Sequence, residues 1–204
     1  MRARVTNKEE LVNIFIAFML PKEASSDMDK VAEDVKELFL PNGKDEKFFH
    51  CTILFIGRVA EEYIPFIQEK MKSIAAIQKP ITININDIGY FFSTKKDRIK
   101  VLYAKPSIMP SALTNLCAML YDTIGKPLEG KTTPPINLAR IHFTLTKRLK
   151  RKLLREDFES IKTKINHFNI PVTIDNIGLY YCKDAEHRYY REISRCDFPA
   201  PAQY

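Results

Sequence analysis

The sequence has 204 residues and a formal net charge of +7. Hydrophobic residues make up 45% and charged residues 28% of the chain, which excludes a disordered or fibrous protein and indicates a globular one with a sizeable core. Four cysteines without a C-x-x-C pair argue against a disulfide scaffold or a ribbon-type zinc site, and a cytoplasmic location is expected. The positive charge favours an anionic partner such as RNA, a nucleotide or a membrane surface.

The first half of the chain alternates strand and helix patterns. An apolar run over 13–20, closed by Pro21, predicts a strand, and the spacing of apolar residues over 25–40 predicts a helix with one buried stripe. The segment FHCTILF at 49–55 predicts a buried strand that ends at Gly57. Helical spacing resumes over 61–76, and strands over 81–90 and 99–104 are predicted to form a hairpin.

The second half repeats this order. A helix is predicted over 109–124, followed by a proline-rich surface loop over 126–137 and a second histidine strand, IHFTLT, at 141–146. A basic run at 148–155 precedes a predicted helix over 156–168. Strands are then expected over 172–181 and 189–195, and 197–204 is expected to form a flexible tail.

The histidine-x-threonine motif occurs once in each half of the chain. Because side chains alternate along a strand, His50 and Thr52 share one face, and His142 and Thr144 share one face of the second strand. An imidazole and a hydroxyl are costly to bury without partners. These faces are therefore predicted to line a cleft that holds water or a ligand.

A second pair of matching segments indicates an internal duplication. The sequence INDIGY at 85–90 resembles IDNIGL at 174–179, at nearly the offset that separates the two histidines. We expect one bilobal domain over 1–204, with interleaved lobes and repeats at about 12–105 and 107–195. An approximate two-fold axis would bring both histidine strands to a shared central cleft.

Two histidines are well suited to paired acid–base chemistry near neutral pH. One neutral imidazole can take a proton from water while the other, as imidazolium, protonates a leaving oxygen. Threonine hydroxyls can donate hydrogen bonds to phosphoryl oxygens. Since the sequence contains neither a G-x-S-x-G nor an H-E-x-x-H motif, the pattern favours a phosphodiester as the substrate, with no metal or cofactor required.

The motifs His50-Cys-Thr-Ile and His142-Phe-Thr-Leu resemble the twin H-x-T/S-x signatures of the two-histidine phosphoesterases, in particular the LigT-like RNA 2′,3′-cyclic phosphodiesterases. The resemblance implies an α+β fold of two pseudo-symmetric lobes, with antiparallel sheets lining a central cleft and helices outside. It also implies His50 and His142 as acid and base, in an order left open, and Thr52 and Thr144 as phosphate ligands.

Three further residues are candidates for substrate contacts. LigT-like proteins often carry an arginine in the pattern H-x-T-L-x-R, whereas Lys147 follows Thr146 in this chain. Arg148 shares the parity of His142 and is therefore the preferred phosphate contact. Tyr90 and Tyr180 lie one and two residues after the repeated glycines and are candidates for stacking a base, with core packing as the alternative.

The favoured function is hydrolysis of 2′,3′-cyclic phosphate ends of RNA or nucleotides to 2′-phosphomonoesters by a monomeric enzyme that does not act on membranes. One alternative keeps the chemistry and changes the substrate to 2′–5′ oligoadenylates or cyclic oligonucleotide signals, as some viral members of the family degrade. Another is a non-catalytic RNA-binding module, which would show no turnover.

Overall fold

The computed structural model describes residues 11–35, 49–132, 137–138, 140–146, 153–165, 167–182 and 190–200. In these residues helices and strands follow one another in the order β1 (Leu11–Met19), α1 (Lys22–Glu33), β2 (His50–Ala60), α2 (Ile64–Ala75), β3 (Ile81–Ser93), β4 (Arg98–Pro106), α3 (Ser111–Leu120), β5 (Asn137–Leu138), β6 (Phe143–Thr146), α4 (Asp157–Lys164), β7 (Ile170–Ile174), β8 (Asn176–Cys182) and β9 (Tyr190–Asp197).

The described strands form one antiparallel sheet in the order β7-β3-β4-β6-β2-β1-β8-β9, with β5 paired to β2 beside this path. The two motif strands, β6 and β2, are neighbours at the centre, and three further strands flank each of them. This confirms the predicted α+β class with antiparallel strands. The two halves of the sheet are continuous, because Cys51 of β2 pairs with Phe143 of β6.

The helices cover one face of the sheet. Buried residues of α1, α2 and α3 join a single core cluster with alternate residues of the strands, including Cys51, Ile53 and Phe143, which are fully buried. The period of apolar residues in each helix explains this packing, since burial of one such side chain contributes about 1.5–3 kcal/mol. The opposite face of the sheet carries His50 and Thr52.

The prediction of a single strand over 172–181 is wrong. The segment breaks at Asp175 into β7, which pairs with β3, and β8, which pairs with β1 on the other side of the sheet. Because Asp175 alone links β7 to β8, the sheet curls so that its two ends approach each other at this residue. As a result, each side of the sheet contains strands from both halves of the sequence.

The predicted end of the first histidine strand at Gly57 is also wrong, because β2 continues to Ala60. Gly57 lies in the strand with φ of 85°. It pairs with Ile14 next to an irregularity in the register with β1. Glycine reaches this backbone region without steric cost and here provides a bulge in place of a strand end.

Other boundaries differ by a few residues. The predicted helix over 25–40 is α1, which begins at Lys22 and ends at Glu33, and residues 36–40 lie outside the described part. In the predicted loop over 126–137, residues 126–128 form a 3-10 turn and Asn137–Leu138 pair with β2, whereas 133–136 lie outside the described residues.

The start of the predicted flexible tail is packed against the sheet. Phe198 is buried in the core, and its backbone N–H donates to the Asp175 carbonyl at 2.7 Å. Residues 201–204 lie outside the described part of the chain. Among the described helices, none combines the length and hydropathy that a membrane crossing needs.

Candidate active site

The two motifs meet at one cross-strand pair. Cys51 and Phe143, the middle residues of the motifs, are directly opposite each other in the antiparallel register. Continuing this register by one residue in each direction sets His50 opposite Thr144 and Thr52 opposite His142. The histidines are then diagonal neighbours, for which Cα atoms lie about 7–8 Å apart. This register sets both imidazoles on the same face of the sheet.

A β-bulge follows the threonine in both motifs. In β2, Thr52 pairs with Ala17 but Leu54 pairs with Ile16, so that Ile53 is the extra residue. In β6, Thr144 pairs with Tyr103 but Thr146 pairs with Leu102, so that the residue between the two threonines is extra. The bulges occur at corresponding positions, and each reverses the alternation of side chains beyond it.

The bulge in β6 affects the choice of phosphate contact. Arg148 was selected because it shares the parity of His142, but simple alternation does not continue past Thr144. Thr146 is 8% exposed and pairs with Leu102, which belongs to the core. Arg148 itself lies outside the described residues, and its role stays a prediction.

A backbone carbonyl orients His142. The carbonyl of Arg140 lies 2.5 Å from His142 Nδ1, and a carbonyl can only accept, so Nδ1 carries the proton and donates it. The tautomer with a protonated Nδ1 is thereby favoured. No catalytic role falls to the neighbouring thiol of Cys51: burial raises its pKa to about 12, although a hydrogen bond with the His142 backbone opposes the shift.

Aromatic rings flank both histidines. Phe91 and Tyr103 lie 4.8 Å and 5.2 Å from His142, both edge to face. In the half of the sheet that contains β2, β1, β8 and β9, the rings of Tyr190 and Phe15 lie 4.9 Å and 5.6 Å from the ring of His50. Such contacts limit rotation of the imidazoles.

The repeated glycines make room for two tyrosine rings. A Cβ atom added at Gly89 would lie 2.6 Å from the ring of Tyr103, its partner across β3 and β4. A Cβ atom added at Gly178 would lie 2.5 Å from the ring of Tyr180. The duplicated sequence INDIGY and IDNIGL therefore marks positions where a ring lies flat against a strand.

Tyr180, one of the two tyrosines predicted to stack a base, lies in the interior. Tyr180 is 4% exposed, its ring stacks on Phe15 at 5.7 Å, and its hydroxyl donates to Glu192 at 2.9 Å. Burial, together with this hydrogen bond, raises the pKa of Tyr180. The structure thus places Tyr180 behind Phe15 and away from an open surface.

Tyr90, the other predicted stacking residue, faces the core side of β3. Its ring lies 4.5 Å from Phe158 of α4, whereas the next residue, Phe91, faces His142. Side-chain alternation therefore turns Tyr90 away from the cleft. Among the described residues, the rings beside the histidines are those of Phe15, Tyr190, Phe91 and Tyr103. The sequence carries no local signal for Phe15 or Tyr103, since both contacts are made across strands.

The two threonines differ in exposure. Thr52 is partly exposed, whereas Thr144 is only 4% exposed and lies between His50 of β2 and Tyr103 of β4 in the register. In the part of the chain that the structure describes, no group of three or more His, Cys, Asp or Glu side chains has an arrangement that could hold a metal ion.

Comparisons with known proteins agree with this geometry. The family model for LigT-like phosphoesterases matches residues 19–103, which include the first motif. A search of curated proteins found no match to the chain.

Several solved structures are similar to the whole fold. Escherichia coli LigT complexed with 3′-AMP has a TM-score of 0.67 at 19% identity, covering 93% of this chain and 99% of that chain. The NADP+ complex of the same protein has a TM-score of 0.65 at 21% identity, with the same coverage. The protein TT0787 of Thermus thermophilus has a TM-score of 0.67 at 18% identity, covering 91% of this chain and 97% of that chain.

These matches show that the chain has the curled antiparallel α+β fold of Escherichia coli LigT. The family model for LigT-like phosphoesterases matches residues 19–103, and over that part the chain is similar to this family.

Proposed function

We propose that the protein is a phosphodiesterase that opens 2′,3′-cyclic phosphates at the ends of RNA or nucleotides to give 2′-phosphomonoesters. The observation that carries the proposal is the antiparallel pair between Cys51 and Phe143. This pair sets a histidine and a threonine of one motif opposite a threonine and a histidine of the other, on a single face of the sheet.

In the proposed step the histidines act on opposite sides of the phosphorus atom. One neutral imidazole takes a proton from water as the water oxygen bonds to phosphorus. The bond from phosphorus to O3′ breaks, and the other histidine, as imidazolium, gives its proton to O3′. Each proton transfer typically contributes about 10²–10⁴-fold. The two histidines exchange protons with solvent before the next turnover.

The threonine hydroxyls complete the site in this proposal. Thr52 and Thr144 each lie opposite a histidine in the register, so their hydroxyls can donate to the non-bridging oxygens, where negative charge accumulates. The Arg140 carbonyl supports the assignment of Nε2 as the reactive nitrogen of His142. This carbonyl can hold the His142 ring whether His142 acts as the base or as the acid. In both cases Nδ1 carries a proton and donates it, since the imidazolium is protonated on both nitrogens.

A nucleotide substrate agrees with two further observations. The net charge of +7 attracts phosphates. Escherichia coli LigT, which has the same fold, was crystallised with 3′-AMP and with NADP+. Both of these ligands are nucleotides, and we infer the same substrate class for this chain.

The test is a substrate panel for the wild-type protein in buffer with EDTA and no added metal. The panel contains adenosine 2′,3′-cyclic phosphate, RNA with a cyclic phosphate end, 2′–5′ oligoadenylate and cyclic dinucleotides. Turnover of the cyclic phosphates to 2′-phosphates supports the proposal. Turnover confined to the other two substrates keeps the chemistry and changes the substrate class. Binding of RNA without turnover of any substrate overturns the proposal in favour of a binding module.

A further inference from the structure

A pocket of about 400 Å³ lies between α3 and the end of β4, next to the candidate active site. Much of its wall is apolar and comes from Met109, Cys117, Ala118 and Ile141. Burial raises the pKa of Cys117 to about 11, so this thiol is neutral near pH 7. The volume is within the range of about 300–1,000 Å³ that is usual for ligand sites.

Two cationic side chains, Lys105 and Arg140, also line this pocket. Lys105 Nζ lies 3.3 Å from Asp87, and Lys162 Nζ lies 3.0 Å from the same carboxylate. One carboxylate thus faces two ammonium groups, and Arg140 adds a further positive charge. The cluster keeps a net positive charge, and this charge beside apolar walls attracts an incoming anion.

The pocket is connected to the active site through two residues. Tyr103 lines the pocket, and its ring lies 5.2 Å from that of His142. Arg140 also lines the pocket, and its carbonyl accepts a hydrogen bond from His142. Lys105 follows Tyr103 by two residues on the same side of β4, which is a step of about 6.4–6.8 Å along the strand. That step is comparable to the spacing of successive phosphates along an extended strand.

We propose that this pocket is a second phosphate-binding site, which takes the 5′-phosphate of the nucleotide that bears the cyclic phosphate. The proposal rests on the proposed function, because it places the scissile group at the histidines. In an RNA end this 5′-phosphate is the link to the preceding nucleotide. The pocket then makes the enzyme prefer polynucleotide ends over free nucleoside cyclic phosphates.

The test compares two substrates that differ by one group: adenosine 2′,3′-cyclic phosphate with a 5′-hydroxyl or with a 5′-phosphate. The wild type is expected to prefer the 5′-phosphate form, mainly through a lower KM. Lys105→Gln is expected to reduce this preference about five- to tenfold, and Lys105→Arg to restore most of it. Lys72→Gln is the matched control, since Lys72 belongs to α2 and lies near Cys196 of β9 at the other edge of the sheet.

Equal turnover of both substrates by the wild type would overturn the second site and leave the proposed function intact. An equal loss on both substrates in Lys105→Gln would overturn it as well. If neither substrate is hydrolysed, the proposed function fails, and calorimetric binding still tests the pocket. Adenosine 3′,5′-bisphosphate should then bind more tightly than adenosine 3′-monophosphate in the wild type and with equal affinity in Lys105→Gln. Equal affinities in the wild type would contradict the site.

Discussion

At the scale of single residues, the cleft depends on small side chains as much as on the histidines. Gly89 leaves space for the ring of Tyr103, which in turn contacts His142. Gly178 leaves space for Tyr180, which supports Phe15 beside His50. A glycine in the interior of a strand normally weakens that strand. Here its lack of a side chain sets the position of the aromatic walls.

Gly89→Ala should lower activity more than stability. The added methyl group would meet the far end of the Tyr103 side chain, which can move aside but then leaves His142. Displacement of a group near reacting atoms by about 1 Å can cost on the order of 100-fold in rate. We expect kcat/KM to fall roughly ten- to hundredfold, with a small change in Tm. Steady-state hydrolysis and thermal unfolding measure the two effects.

Gly178→Ala is the matched variant, and we expect it to lower stability more than activity. Tyr180 is 4% exposed and held by Glu192, so its ring cannot move aside easily. Overpacking of this kind costs about 1–3 kcal/mol in the free energy of unfolding. The account is contradicted if Gly89→Ala loses more stability than Gly178→Ala, or if it keeps full activity.

Tyr180 should also make stability depend on alkaline pH. Its folded pKa is raised above the usual value of about 10, first by burial and then by the bond to Glu192. The folded state therefore holds the proton more tightly. The resulting stabilisation is complete below about pH 10 and is lost as the pH rises through the folded pKa.

Tyr180→Phe removes this group and should flatten the fall in the urea midpoint between pH 9 and pH 11. A slope will remain, because the pKa of Cys51, raised to about 12, acts in the same direction. Urea titrations of wild type and variant across this range are the measurement. Parallel curves for the two proteins would show that Tyr180 does not titrate as described.

At the scale of secondary-structure elements, β-bulges decide which side chains face the cleft. The sequence was sufficient to place His50 with Thr52 and His142 with Thr144, since alternation over two residues needs no partner strand. The sequence was not sufficient to assign the faces of the side chains that follow the two threonines. The extra residue after Thr52 and the one after Thr144 are defined only by pairing with β1 and β4.

Long-range pairing also explains the other differences from the predicted elements. The run over 172–181 is apolar throughout most of its length and contains no strong breaker at Asp175. Its division into β7 and β8 comes from a change of partner from β3 to β1. In the same way, Tyr103 and Phe15 reach the histidines across strands, and no local pattern marks such contacts.

Gly57→Ala tests the bulge in β2. With φ of 85°, Gly57 occupies a backbone region that costs other residues about 1–3 kcal/mol. We expect Gly57→Ala to lower the free energy of unfolding by that amount in urea titrations. Gly57→Asn should lower it less, because asparagine tolerates positive φ better than most side chains. Equal losses in the two variants would point to crowding as the cause instead of backbone strain.

At the scale of the whole molecule, the sheet order brings distant parts of the chain to one cleft. Strands β8 and β9 lie beside β1, and β3, β4 and β7 lie beyond β6. Each side of the cleft therefore depends on both ends of the sequence. The two motif strands, β6 and β2, are the central pair of the sheet, with one from each half of the sequence.

The net charge of +7 should make the reaction with long substrates depend on salt. At 0.15 M ionic strength the Debye length is about 8 Å, so contacts with distant phosphates are screened. We expect kcat/KM for RNA with a cyclic phosphate end to fall more steeply between 50 and 300 mM NaCl than kcat/KM for adenosine 2′,3′-cyclic phosphate, in assays run side by side. Identical salt profiles for the two substrates would contradict a role for this charge.

The central claim is that His50 and His142 together perform the acid–base chemistry. The most direct measurement is the rate of hydrolysis of adenosine 2′,3′-cyclic phosphate in EDTA by wild type, His50→Gln, His142→Gln and the double variant. Each single replacement should lower kcat by about 10²–10⁴-fold. The double variant should lose little more, because the histidines act as a unit. A single variant that keeps more than a tenth of wild-type activity, with its fold intact, would contradict the account.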